Sequence, residues 1–203
     1  MLILHYTELP LAESLAILSD PAREHRVSAH HVLAEDGTVY RLVPEDRVAW
    51  HAGKSWWRGR EALNGTSIGI EIVNLWGDTN PYPPRQIAAL IELCRGILGR
   101  HPAIVPRNVV GHSDVAPTRK IDPGLLFPWK ALADAGIGLF PRSTSKPLAG
   151  DAQAALQRYG YEAGEASLKA FQRHFRPGKV DGVADAETRG LLADLLDRVG
   201  GAP

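Results

Sequence analysis

Hydrophobic positions change period several times along the chain, and each change predicts an element. Leu2 to Thr7 alternates as a strand with Ile3, His5 and Thr7 on one face, and Leu11, Leu15 and Leu18 then continue at helical spacing. Ala29 to Leu33 and Thr38 to Leu42 are β-rich and flank Glu35-Asp36-Gly37, whose Asp-Gly pair suits the positive φ of a tight hairpin turn. Ile68, Ile70 and Ile72 share one strand face, which places Glu71 on the other. From Pro84 a long helix carries Ile87, Leu90, Ile91, Cys94, Ile97 and Leu98 along one side and ends at His101-Pro102. This alternation predicts an α/β fold, a mixed central sheet flanked by helices.

Regular structure is not expected from Val110 to Phe127, where Pro117, Pro123 and Gly124 interrupt it. The same stretch is dense in His112, Asp114, Arg119, Lys120 and Asp122, so it reads as a functional loop. Asp122 precedes a proline and is biased toward extended backbone, in which Lys120 and Asp122 project to the same side. Beyond Gly136 the Pro- and Ser-rich residues 141–149 read as a linker between a domain at 1–140 and a small helical one at 150–203. Three apolar stripes predict that second domain's helices: Ala152, Ala155, Leu156 and Tyr159; Leu168, Phe171 and Phe175; Leu191, Leu192, Leu195 and Val199.

Composition removes several classes of function. Lys plus Arg equals Asp plus Glu at 23 each in 203 residues, so no net charge favours nucleic acid or an anionic membrane. No apolar run reaches the roughly 18 residues of a membrane span. Cys94 is the single cysteine, which excludes an intramolecular disulfide; its place in the helix stripe predicts a buried, inert thiol. No basic-then-apolar signal region precedes the first strand, so a cytoplasmic protein and a chain lacking an upstream export segment are both open.

The residue types that remain suggest metal-assisted hydrolysis. His5, His112 and Asp122 would form a two-histidine, one-carboxylate set with a fourth position for water, as hydrolytic zinc requires. Glu71 on its strand would serve as general base and Lys120 as the cation that stabilises an oxyanion. Spacing alone leaves this open, because the two histidines lie far apart and no HExxH-like pair exists.

The strings LILHYT, VSAHHVL, EDGTVYRLV, AWHAG, IGIEIVN, GHSDVAPTRKIDPG and LFPW resemble, in that order, the zinc-dependent N-acetylmuramoyl-L-alanine amidases. The likeness is to the AmiD and AmpD types, with phage amidase lysozymes and peptidoglycan recognition proteins as more distant relatives. This resemblance implies one zinc on His5, His112 and Asp122, Glu71 as base, Lys120 beside the transition state, and His51 lining the substrate groove, where the neighbouring Trp50 is also expected as part of an aromatic rim. It also implies cleavage of the amide joining N-acetylmuramic acid to L-alanine in peptidoglycan or muropeptides, by an enzyme expected to be monomeric. Ala29 departs from the phage pattern, which has a catalytic tyrosine there, and this shifts weight to Glu71. LQRYGY, SLKAFQRHF and VDGVADAET resemble a three-helix peptidoglycan-binding domain, which favours the cell envelope and predicts a tether whose linker sets its reach.

Blander roles are expected elsewhere. His30 reads as a structural residue or one supporting a ligand, and Asp114 as a loop cap or an orienting group, since a fourth protein ligand would close the site to water. His25, His101 and His174 read as surface residues, and Arg58, Arg60 and Glu61 as a solvated loop. Trp50, Trp56, Trp57 and Trp76 are divided between packing and a groove rim. Two competing functions remain: a recognition module on the same fold without catalysis, and a zinc peptidase cutting within the stem peptide.

Overall fold

The computed structural model describes residues 1–24 and 26–200; His25 falls outside them. A five-stranded sheet has the order β3-β2-β6-β1-β7, built from β1 (Leu2–Tyr6), β2 (His31–Leu33), β3 (Val39–Arg41), β6 (Ile68–Ile72) and β7 (Val109–Gly111). β1 runs parallel to both β6 and β7, β2 is parallel to β6, and β3 returns antiparallel to β2 through the expected hairpin. Gly37 holds φ at +90° in that turn, where a side chain would be strained. Two short strands, β4 (Trp56–Trp57) and β5 (Arg60–Glu61), pair as a separate hairpin where a plain loop was expected. No helix is long and apolar enough to cross a membrane among the described residues.

The alternation read from the sequence assigns each face its partner. Leu2, Leu4, Ile68, Ile70 and Ile72 pack with Leu90, Cys94 and Ile97 of α2 (Pro84–Arg100) and with Trp129 and Leu132 of α4 (Trp129–Asp134). α1 (Leu11–Ser19) follows β1, and Ser14 is its buried residue. From the opposite face, Ile3 and Val110 join a second cluster with Ala52, Trp57, Leu63 and Val115. That cluster continues into α5 (Ala152–Tyr159), α6 (Glu165–Phe175) and α7 (Ala186–Val199), through Leu156, Tyr159, Phe171, Leu192 and Leu195.

The three C-terminal helices form where the apolar stripes predict them, but they are not held at arm's length. Asp151 and Asp185 cap α5 and α7 by accepting the backbone N–H groups of Ala154 and Thr188. The connecting residues 141–149 lie strapped to α7: Asp194 accepts from the Arg142 N–H, Lys146 pairs with Asp197, and Arg189 donates to the Leu148 and Gly150 carbonyls. A Cβ on Gly190 would collide with the Thr144 carbonyl oxygen, so strap and helix touch backbone to backbone. Because the helices share a core with the sheet, the expectation of a freely reaching tether gives way to a docked unit.

Candidate metal and active site

Parallel strands bring their carboxyl ends to one edge of a sheet, and ligands in open α/β sheets bind outside that edge. His5 is near the end of β1, its register partner Glu71 is near the end of β6, and His112 follows β7 directly as the first residue of α3 (His112–Val115). This single helical turn interrupts the segment expected to be irregular; Asp114 caps it by accepting the Gly111 N–H at 2.7 Å. Lys120 and Asp122 line the same cleft as Glu71, His112, His51 and Trp50.

Three donor atoms converge there. His5 Nδ1 lies 3.0 Å from His112 Nδ1 and 3.2 Å from Asp122 Oδ2, and His112 Nδ1 lies 3.1 Å from the same oxygen. All three side chains are buried, and they form a group suited to hold a metal ion.

The partners of the far ring nitrogens assign the tautomers. His112 Nε2 faces the Ala52 carbonyl at 3.1 Å, which only accepts, so that nitrogen carries the proton. Ser67 Oγ donates to the Leu63 carbonyl at 2.7 Å and accepts from His51 Nε2 at 3.2 Å. His51 Nδ1 is therefore bare and accepts from His5 Nε2 at 2.9 Å. Each neutral imidazole thus presents a lone pair at Nδ1, beside a carboxylate oxygen. Three acceptors packed this closely suit a cation between them. Donors about 2.0–2.2 Å from a tetrahedral zinc stand roughly 3.3 Å apart, close to the observed triangle, so the residues present fit the ion.

Electrostatics favour a cation within this group. Burial, reinforced by His112, lowers the His5 pKa to about 4, and burial holds His51 well below the ordinary imidazole value. Burial would raise Asp122, but positive charge and donated hydrogen bonds at the two imidazole positions outweigh it and keep the carboxyl below the carboxylate range, a pull that a bound cation would supply in place of those protons. Burial drives Glu71 far the other way; the Asp122 charge adds to the rise and Lys120 opposes it.

His51 sits differently from expectation. It lines the cleft, yet it is 8% exposed and its ring nitrogens are committed to His5 and Ser67. Gly69 makes room for it, since a Cβ there would lie 2.4 Å from the ring. Trp50, by contrast, is 53% exposed at the cleft. His30 is fully buried without touching the three donors: its Nδ1 accepts from the Gly69 N–H and its Nε2 donates to the Arg47 carbonyl, a structural role.

Two histidines expected at the surface are not free there. His174 is buried, its Nδ1 2.7 Å from Asp114 Oδ2 and its ring stacked on Trp129 at 3.7 Å. Its position one turn beyond Phe171 on α6 places it on the helix's inner side, a cue the apolar stripe contained. His101 is partly exposed but paired with Glu45 at 2.8 Å. Trp57 packs in the core against Tyr161, Trp56 is half-buried, and Trp76 is exposed.

Fold and site together define a class. The chain belongs to the N-acetylmuramoyl-L-alanine amidase family, whose model matches residues 1–125. Over 98% of its length, and 83% of the relative's, the chain is 40% identical to the N-acetylmuramoyl-L-alanine amidase AmiD of Escherichia coli. It is also 47% identical to the 1,6-anhydro-N-acetylmuramyl-L-alanine amidase AmpD of Enterobacter cloacae, over 51% of this chain and 54% of that one. Among solved structures, AmiD of E. coli in complex with anhydro-N-acetylmuramic acid-L-Ala-D-gamma-Glu-L-Lys superposes with a TM-score of 0.89, covering 98% of this chain and 89% of that one at 40% identity. AmpDh3 from Pseudomonas aeruginosa in complex with anhydromuramic pentapeptide gives 0.88 at 38% identity, covering 98% and 91%.

Proposed function

We propose that the protein is a zinc hydrolase that cleaves the amide between N-acetylmuramic acid and L-alanine in peptidoglycan-derived muropeptides. The observation that carries this reading is the triangle of His5 Nδ1, His112 Nδ1 and Asp122 Oδ2, three bare donors 3.0–3.2 Å apart. Family membership and the muropeptide complexes of AmiD and AmpDh3 support the substrate class.

His5, His112 and Asp122 would hold the zinc. When bound, the ion supplies Lewis acidity, polarising the scissile carbonyl and making water a competent nucleophile near neutral pH. Glu71 then acts on protons: its carboxylate takes one from the attacking water and delivers it to the leaving L-alanine nitrogen. Burial raises the Glu71 pKa and so strengthens it as a proton acceptor, while the Lys120 charge, and a cation on the three donors, oppose the rise and favour the carboxylate that starts the cycle. Lys120 lines the same cleft, and its ammonium would stabilise the negative charge that develops on the carbonyl oxygen. The His51–Ser67 pair keeps His5 in the tautomer whose Nδ1 is free, and exposed Trp50 offers a flat apolar surface to the muropeptide. Every one of these groups comes from one chain, so a monomer suffices.

Metal analysis of the purified protein with mass spectrometry of a digested anhydro muropeptide tests the proposal. One zinc per chain and release of an intact stem with a free L-alanine amino terminus are expected. Zinc without turnover would indicate a recognition module, and cleavage inside the stem would indicate a peptidase.

A further inference from the structure

We infer that the C-terminal helices are a built-in support of the metal site, acting through a clamp that Tyr161 and His174 close on Asp114. The inference rests on the zinc reading above. Asp114 is 1% exposed and lies in α3, two residues after His112. Tyr161 Oη donates to its Oδ1 at 2.7 Å, and His174 Nδ1 donates to its Oδ2 at 2.7 Å. The only other hydrogen bond to this carboxylate among the described residues is from the Gly111 N–H. A buried carboxylate needs such donors, so two of its three come from chain that follows residue 150.

The donors are themselves held. Tyr161 is fully buried and meets Trp57 edge to face at 5.0 Å, and the His174 ring lies against Trp129 at 3.7 Å and Phe175 at 3.9 Å. α3 in turn supports two of the three metal donors. It carries His112, and its Ser113 N–H donates to the Asp122 carbonyl at 2.9 Å. Moving Asp114 therefore moves the turn from which both His112 and the backbone of Asp122 are hung. Tyr161 and His174 are positioning residues: they reach neither the donors nor the cleft lining, and they act through Asp114.

The test is zinc affinity of the full-length chain, measured by competition with a chromogenic chelator well below each variant's melting temperature. Tyr161→Phe keeps the ring and removes the hydroxyl; His174→Leu removes the second donor. Each is expected to weaken zinc binding about tenfold, within the range for groups that orient metal ligands. His174→Asn, which restores an N–H donor, should recover part of the loss. Leu195→Ala, in the same bundle but on α7, which gives Asp114 no hydrogen bond, should lower the melting temperature and leave zinc affinity within about twofold. Unchanged affinity in Tyr161→Phe, or an equal loss in Leu195→Ala, would overturn the clamp. Failure of the parent chain to bind zinc would instead remove the underlying reading, and that is seen before any variant is made.

Discussion

Glu71 stands directly beside His5 in the parallel register of β6 against β1, so the proposed base and a proposed metal donor leave neighbouring strands on the same face of the sheet. Glu71→Gln retains the shape and removes the proton acceptor. Zinc content should stay at one per chain while turnover of a soluble muropeptide falls about 10²- to 10⁴-fold. Turnover near the parent level would exclude Glu71 as the base.

His51 offers a choice between two roles, a wall of the substrate groove and a support for His5. The 2.9 Å contact from His5 Nε2 and the Ser67 bond behind it favour support. His51→Ala should then weaken zinc binding by about 10- to 100-fold. A raised KM with unaltered zinc affinity would return His51 to the groove.

Removing residues after Pro147 would uncover Ile3, Trp57, Val110 and Val115 and strip two donors from Asp114. Loss of activity is expected on small muropeptides and whole sacculi alike, with a lowered melting temperature. A truncated chain that digests soluble fragments at the full rate and fails only on sacculi would restore the tether.

Glu45 joins β2 to the end of α2 through His31, Arg100 and His101. The Arg100 hydrogen bond leads, ahead of opposing burial, in holding its pKa down at about 2, below the ordinary value of 4.5. With the folded pKa depressed, the stabilisation is complete above pH 4.5 and disappears as pH falls from 4.5 toward 2. Chemical denaturation across that window should show the parent losing stability more steeply than Glu45→Gln. Parallel curves would mean that the cluster contributes nothing.

Much of the fold follows from local pattern. The β6 alternation buries Ile68, Ile70 and Ile72, and the α2 stripe buries Leu90, Cys94 and Ile97 while leaving Ile87, Ile91 and Leu98 half-buried; the hairpin forms at Asp36-Gly37, but its return strand β3 stays largely exposed. Cys94 is fully buried, and burial pushes its thiol up to about 12, as an inert core cysteine requires. The triad residues carry recognisable neighbours, so their convergence could be anticipated from the family strings. What the pattern did not contain was contact across long stretches of chain. His51 reaches His5 because Gly69 lets its ring cross β6, and His174, which the α6 stripe already turns inward, finds its acceptor in Asp114 sixty residues earlier. The strap at 141–149 has linker composition, but its partners Asp194, Asp197 and Arg189 are about fifty residues later on α7. Composition reports how a segment could behave alone; docking depends on a surface made elsewhere.

Anomalous X-ray diffraction at the zinc edge, on crystals of the full-length chain grown with the metal, tests the central claim most directly. The account predicts one strong peak about 2.0–2.2 Å from His5 Nδ1, His112 Nδ1 and Asp122 Oδ2, with the fourth position open toward Glu71. No peak at that triangle, or a peak whose ligands are other side chains, would contradict it.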